Sequence, residues 1–357
     1  MLSVAVSALL LLTGWWTGQV KSSVAVGSES GGPFAASPSV AFAQWTATTG
    51  QLSLVVEEPT GFHLRQGLKR SSSQNALPVP FDGPTFYPDG SALAYAGFTR
   101  NEGHAIFAVA VNGGQLLQIP GTDGGSHPVL SPDGLTLAFA RSRQKLSLAG
   151  LPHVVTKTSI WLVNLMTHQK DRVTPWEVNT ELTPTSFSPD GARLSLTKGS
   201  SRREQVLVLD LRNDSLKLIA KNASEGAFSP DGNQIAFAKR VDSRAKAGSG
   251  SRRVQIAIYG AESDGSSARK LVGSGGGQAL SPAWDSFGER LAYISVAAAG
   301  HRRRPAQVSL MEVNADGTCP TMIYSASSST SSLGGGIPIA GPVWQPSSLP
   351  AGRIGCG

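Results

Sequence analysis

Residues Pro128–Arg141 read PVLSPDGLTLAFAR, and the same pattern recurs along the chain. It returns as PTFYPDGSALAYAG from Pro84, PTSFSPDGARLSLTK from Pro184 and GAFSPDGNQIAFAK from Gly226, and in degenerate form as SPAWDSFGERLAYIS from Ser281. The Pro-Asp-Gly step is turn chemistry: proline presets φ, aspartate bonds the local backbone, and glycine accepts a positive φ. An apolar run enters each turn (Val129-Leu130, Phe187, Phe228, Trp284) and an alternating run leaves it (Leu93-Ala-Tyr95, Ile235-Ala-Phe237), which is the pattern of a β-hairpin. Recurrence of one supersecondary unit signals a repeat architecture.

Working outward, two more strands complete most units. After Asp89 come residues 105–111 and 115–119; after Asp190 come 205–210 and 216–219. Four antiparallel strands in roughly 45 residues make one propeller blade. The ends carry complementary fragments: SPSVAFAQ from Ser37 has the second half of the motif, and GPVWQP from Gly341 the first. The expected fold is all-β: a six-bladed β-propeller of four-stranded antiparallel blades, its ring closed by strands from both termini, which leaves no open sheet edge between first and last blades. The propeller is placed at 39–346, with repeats near 84–97, 128–141, 184–198, 226–239 and 281–295, and residues 347–357 form a C-terminal tail. A seven-bladed ring, with GGPFAASP from Gly31 as an inner strand of its own, is the alternative.

Composition agrees with many short strands. Of 357 residues 41 are Gly and 22 Pro, while 40% are hydrophobic and 15% charged, a balance that excludes wholesale disorder. The apolar run from Leu2 to Trp16 is shorter than the roughly 20 residues that span a bilayer. It reads as the core of a secretory signal, with small-residue cleavage options at Ala25-Val-Gly27 or Ala41-Phe-Ala43, although no Lys or Arg precedes it. Residues 1–27 are thus a signal peptide or N-terminal anchor, and 28–38 a linker.

The Ser-Pro-Asp-Gly units followed by Ile/Leu-Ala-Phe resemble the PD40 (WD40-like) repeats of TolB-type propellers, over roughly Val40 to Pro346. The resemblance implies the propeller fold. TolB carries a further α/β domain ahead of its propeller, whereas about 40 residues precede the first strand here. Related propellers also precede the hydrolase domain of prolyl-oligopeptidase-like peptidases, a domain this sequence does not contain.

Catalytic chemistry finds little support. Ser249 lies in the loop sequence Gly248-Ser-Gly-Ser-Arg252 rather than on a strand–turn–helix elbow. Ser131, Ser188 and Ser229 recur at one turn position, and recurrence in several blades indicates structure, since catalysis needs one site. The six histidines (His63, His104, His127, His153, His168, His301) show no metal-binding spacing. His127 is expected where an inner strand enters the central channel, with Asp82, Glu181 and Glu225 near corresponding points. Such a mouth could hold a cation, but its ordinary reading is a solvated rim, so no metal and no cofactor are expected. Cys319 and Cys356 are expected to pair and clip the tail in an oxidising compartment.

Charge is unevenly spread. The connections between second and third strands, Phe98–Ala105, Arg141–Thr158, Thr197–Arg203, Lys239–Arg253 and Gly300–Pro305, read as long basic loops holding 17 Lys/Arg and two acids, within a chain of net charge +7. One face of the ring is therefore expected to be basic, through Arg141, Arg143, Arg202, Arg203, Arg252, Arg253, Arg302, Arg303 and Arg304. Solvated loops tolerate such residues without further purpose; the functional reading is a face that attracts anions.

The function expected is a non-catalytic, exported scaffold, periplasmic or extracellular and monomeric, that binds a protein partner or an anionic envelope polymer. Membrane association would run only through an uncleaved N-terminal segment. Nucleic acid is disfavoured, because the basic loops offer almost no aromatic side chain for base stacking. The alternative is a propeller enzyme, a lyase or hydrolase acting on a polyanionic carbohydrate at the channel mouth.

Overall fold

The structure, a computed structural model, describes residues 40–46, 51–58, 61–67, 77–78, 84–99, 103–110, 117–147, 153–199, 203–242, 254–273, 277–297, 307–327, 339–344 and 352–356. The chain divides after Ala35, and all of these residues lie in the second unit, Ala36–Gly357. The expected signal segment and linker, 1–27 and 28–38, fall outside the described residues. Among the described residues no helix is long and apolar enough to cross a membrane.

Every regular element described is a strand. In chain order they are β1 (Val40–Thr46), β2 (Gln51–Glu58), β3 (Gly61–Gly67), β4 (Leu77–Pro78), β5 (Thr85–Phe86), β6 (Ala92–Thr99), β7 (Gly103–Ala110) and β8 (Leu117–Gln118). Then follow β9 (Gly125–Leu130), β10 (Thr136–Ser147), β11 (His153–Asn164), β12 (Lys170–Arg172), β13 (Glu177–Val178), β14 (Glu181–Phe187), β15 (Arg193–Gly199), β16 (Gln205–Asp210) and β17 (Ser215–Lys221). The last group is β18 (Ala223–Phe228), β19 (Gln234–Asp242), β20 (Val254–Glu262), β21 (Arg269–Val272), β22 (Gln278–Trp284), β23 (Arg290–Val296), β24 (Gln307–Asn314), β25 (Thr321–Ser327) and β26 (Ile339–Trp344).

Consecutive strands pair antiparallel in sets. The sheets run β4-β6-β7-β8 with β5 also on β6, β12-β11-β10-β9 with β13 also on β11, and β14-β15-β16-β17. In the largest sheet, β18 to β21 and β22 to β25 form two antiparallel sets joined by one parallel bridge, Ile256 to Gln278. The remaining sheet, β26-β1-β2-β3, combines opposite ends of the chain, with Val40 opposite Trp344 and Gln44 opposite Ile339.

The repeated turn explains the regularity. In each of the four Pro-Asp-Gly units the glycine N–H bonds the carbonyl three residues back, as Gly134 N to Ser131 O (2.9 Å) and Gly232 N to Ser229 O (2.8 Å). These glycines sit at φ near +70°, which a Cβ would oppose. Three of them also face the proline of the preceding unit: a Cβ on Gly134 would lie 3.2 Å from Pro88, one on Gly191 3.9 Å from Pro132, and one on Gly232 3.2 Å from Pro189. The turn glycine therefore serves both the hairpin and the contact between neighbouring units.

Apolar side chains fill the space between successive sheets. Ala138 and Ile160 pack with Phe187, Leu194 and Leu207; Val206 and Val208 pack with Phe228, Ile235 and Phe237. Val40 and Trp344 pack against Ile294, Val308 and Leu310, so the sheet made from both chain ends is bonded to the last antiparallel set. On its other side Val343 meets Phe86, Leu93 and Phe107.

One expectation is corrected. One of the stretches read as long basic loops, Arg141–Thr158, is largely strand: β10 runs on to Ser147 and β11 begins at His153; β19 likewise continues to Asp242, and residues 243–253 and 300–305 lie outside the described residues. Arg141 and Arg143 therefore lie on a strand, paired opposite Ser159 and Lys157. The charges had suggested solvated loop, but they alternate, and Val154, Val155, Thr156 and Thr158 opposite are β-branched residues that favour the pleat.

Candidate binding surfaces: an acidic cavity and a basic hairpin

The inner strands surround a cavity of about 700 Å³ whose lining includes His127, Glu181 and Glu225, so the structure brings together three of the four residues expected at the channel mouth. Asp82 lies outside the described residues. Glu204 and Asp285 add two further carboxylates, and no Lys or Arg is among the described lining residues.

Glu225 is the best-defined polar group of this wall. It and Ser281 both adopt positive φ (58° and 52°), as does His127 (53°), beside irregularities in the pairing of their inner strands. The Glu225 carboxylate accepts the Ser281 N–H at 2.6 Å and its hydroxyl at 3.1 Å, tying β18 to β22. Burial raises its pKa, with Glu204 adding to the rise; the bonds from Ser281 and the nearby His127 oppose it. This is a tie between inner strands. His127 Nδ1 lies 3.2 Å from Ser126 Oγ. Among the described residues no group of three or more His, Cys, Asp or Glu is placed to hold a metal ion.

The recurring serines have a structural task. Ser131, Ser188 and Ser229 each donate to the aspartate two residues on at 2.5 Å, and each accepts the N–H that opens the next strand at 2.9 Å. Ser249 lies outside the described residues.

Of the expected basic face, Arg141, Arg143 and Arg203 are described; Arg202, Arg252, Arg253 and Arg302–Arg304 are not. Arg203 is exposed before β16. Arg141 and Arg143 point from one face of β10 onto two indoles. The Arg141 guanidinium lies 5.3 Å from the Trp161 ring and that of Arg143 lies 4.9 Å from Trp176, with the indoles edge to face at 6.5 Å. Trp161 Nε1 donates to Ser159 Oγ at 2.8 Å, which fixes the first ring. Lys157, exposed, is the cross-strand neighbour of Arg143. Among the described residues neither arginine has a carboxylate partner, since Glu177 beside Trp176 is taken by Lys198 at 2.7 Å.

Cys319 and Cys356 are joined as a disulfide, with Cα atoms 5.1 Å apart. The described tail residues are also bound by side chains: Asn314 exchanges two bonds with the Ile354 backbone (2.8 and 3.1 Å), Glu289 accepts the Gly352 N–H at 2.9 Å, and Arg353 pairs with Asp316.

No family model matches the chain, and no curated protein matches it in sequence. Solved structures do resemble it. TolB from Acinetobacter baumannii superposes with a TM-score of 0.59 at 20% identity, covering 87% of this chain and 67% of that one. A TolB candidate from Agrobacterium tumefaciens gives 0.55 at 15% identity, covering 82% and 91%. The fold is a TolB-like β-propeller.

Sequence reasoning missed several participants in this TolB-like propeller, Trp161 under Arg141 and the cavity carboxylate Asp285 among them. Ser281 was legible in principle, since it stands third before the aromatic, as Glu225 does. Glu204 precedes β16 and gave no signal. Trp176, far from Arg143 along the chain, reaches it only through the pairing of β13 with β11.

Proposed function

We propose that the chain forms a six-bladed ring closed by strands from both termini and acts, after export, as a non-catalytic scaffold that docks an anionic partner on its basic face. The blade count rests on six antiparallel sets, with an apolar cluster between each successive pair, including Val40 and Trp344 against Ile294 and Leu310. Export is supported by the apolar run from Leu2 to Trp16 and by the Cys319–Cys356 bridge, which suits an oxidising compartment. The observation that carries the docking reading is the pair Arg141 and Arg143, stacked on indoles and without carboxylate partners among the described residues. An acid-lined cavity repels a polyanion, which counts against the reading as a lyase or hydrolase of acidic carbohydrate.

The test is capture of partners from the native envelope or secreted fraction at low and moderate salt, beside a variant charge-reversed at Arg252, Arg253 and Arg302–Arg304. A discrete partner, lost in the variant and at higher salt, is expected. Equal recovery by both proteins would overturn the basic face as the docking site.

A further inference from the structure

Resting on the reading of an anion-docking face, we infer that the β10–β11 hairpin takes an extended acidic segment of a partner protein, with carboxylates on alternate residues facing Arg141 and Arg143. The two arginines stand two residues apart on one strand face, and no pairing irregularity between β10 and β11 intervenes. Their spacing along the strand is about 7 Å, which is also the repeat of side chains on one face of an extended peptide. An acidic residue at every second position thus meets each guanidinium in turn.

Stacking prepares the guanidiniums for this. With its flat face on an indole, an arginine keeps its edge N–H groups free for two-pronged bonding to a carboxylate, and fewer rotamers remain to be lost on binding. The site is also electrostatically incomplete. Arg143 and Lys157 are direct cross-strand neighbours, and like charges in that relation repel. An incoming carboxylate between them relieves the repulsion. Burial is graded along the same face, from Phe139, fully buried, through half-buried Arg141 and Trp161, to exposed Arg143 and Lys157. A segment lying there meets donors at its accessible end and a packed floor at the other.

A merely covering role, in which long side chains shield Trp161 and Trp176 from water, would be met equally well by lysine. That difference supplies the test. Tryptophan fluorescence of the purified protein is titrated with a peptide of alternating Glu and Ser, and with a block isomer of the same length and charge. Inorganic polyphosphate and polygalacturonate are run as competitors, and thermal melts are recorded for each variant. We expect the alternating peptide to bind at least about tenfold tighter than the block isomer. The doubly substituted Arg141→Lys, Arg143→Lys protein should melt like the wild type yet lose about tenfold in affinity, because the charge remains while the planar fork is lost. Equal binding of the two peptides, undiminished binding by the lysine variant, or tighter binding of either competitor polymer would overturn the inference. A salt-sensitive partner captured from the envelope with no response to the alternating peptide would remove the hairpin assignment alone; no captured partner together with phase-dependent peptide binding would instead remove the Arg252/Arg302 face.

Discussion

The regular turns and the turn at Asp285 hold one backbone shape by opposite means. In the unit around Asp231, Ser229 bonds the aspartate and the incoming N–H, and the carboxylate stays in water, where the serine bond first and the backbone bonds after it lower its pKa. In the fifth unit Asp285 occupies the serine's place. Its Oδ1 accepts the N–H groups of Glu289 and Arg290 at 2.8 and 3.0 Å, so the turn is preserved. Its Oδ2, however, is buried without a hydrogen-bond partner among the described residues, and burial raises its pKa. Beneath it Arg290 pairs with Glu312 at 3.2 Å, with side chains only 13% and 8% exposed, and the disulfide-bonded tail closes over the unit. A repeat that loses its local chemistry survives here because long-range ties replace it.

Breaking those ties should have the largest effects. Arg290→Ala leaves Glu312 buried without its charge partner and frees the Gly352 carbonyl; a loss of about 3–5 kcal/mol is expected by denaturant unfolding. The exposed pair Arg212–Asp190 is the control, and Arg212→Ala should cost less than about 0.5 kcal/mol. Next in size, Cys319→Ser opens a loop of 37 residues, for which the chain-entropy model gives about 3–4 kcal/mol; wild-type protein under reductant should melt like the variant.

The comparison sharpens with pH. Asp285 has a raised folded pKa, so its ionisation lowers stability as pH climbs from the ordinary carboxylate range through that raised value. Asp285→Asn should remove this slope and gain about 1 kcal/mol at neutral pH, an advantage that fades on acidification. Asp231 behaves oppositely. Its lowered pKa adds stability above the unfolded value that is lost as pH falls through the folded one. Ser229→Ala should therefore cost about 1 kcal/mol or less near neutrality and flatten the acid limb of the stability curve. Equal pH profiles for the two variants would show that the turns do not differ in the way described.

Much of this fold is readable from residue order. Proline, aspartate and glycine at fixed offsets specify a hairpin turn whatever surrounds them, and the complementary fragments at Ser37 and Gly341 point to β1 and β26 as partners. The hairpin β10–β11 was obscured because charge resembles loop, although its alternation and β-branched partners are strand features. The cavity was legible only in part: His127, Glu181 and Glu225 follow from their places in the repeat, but Glu204 does not, because it stands outside the repeated motif.

Local sequence thus determined the strands, the turns and the repeat, since each depends on backbone preferences within a few residues. Tertiary structure alone decided that Glu225 is spent on Ser281, that Trp176 reaches Arg143, and that Arg290 and Glu312 share a buried site under the tail. Those outcomes depend on which side chains distant in sequence are brought within hydrogen-bonding or stacking range and removed from water together. No local pattern encodes that, because burial is a property of the assembled sheets.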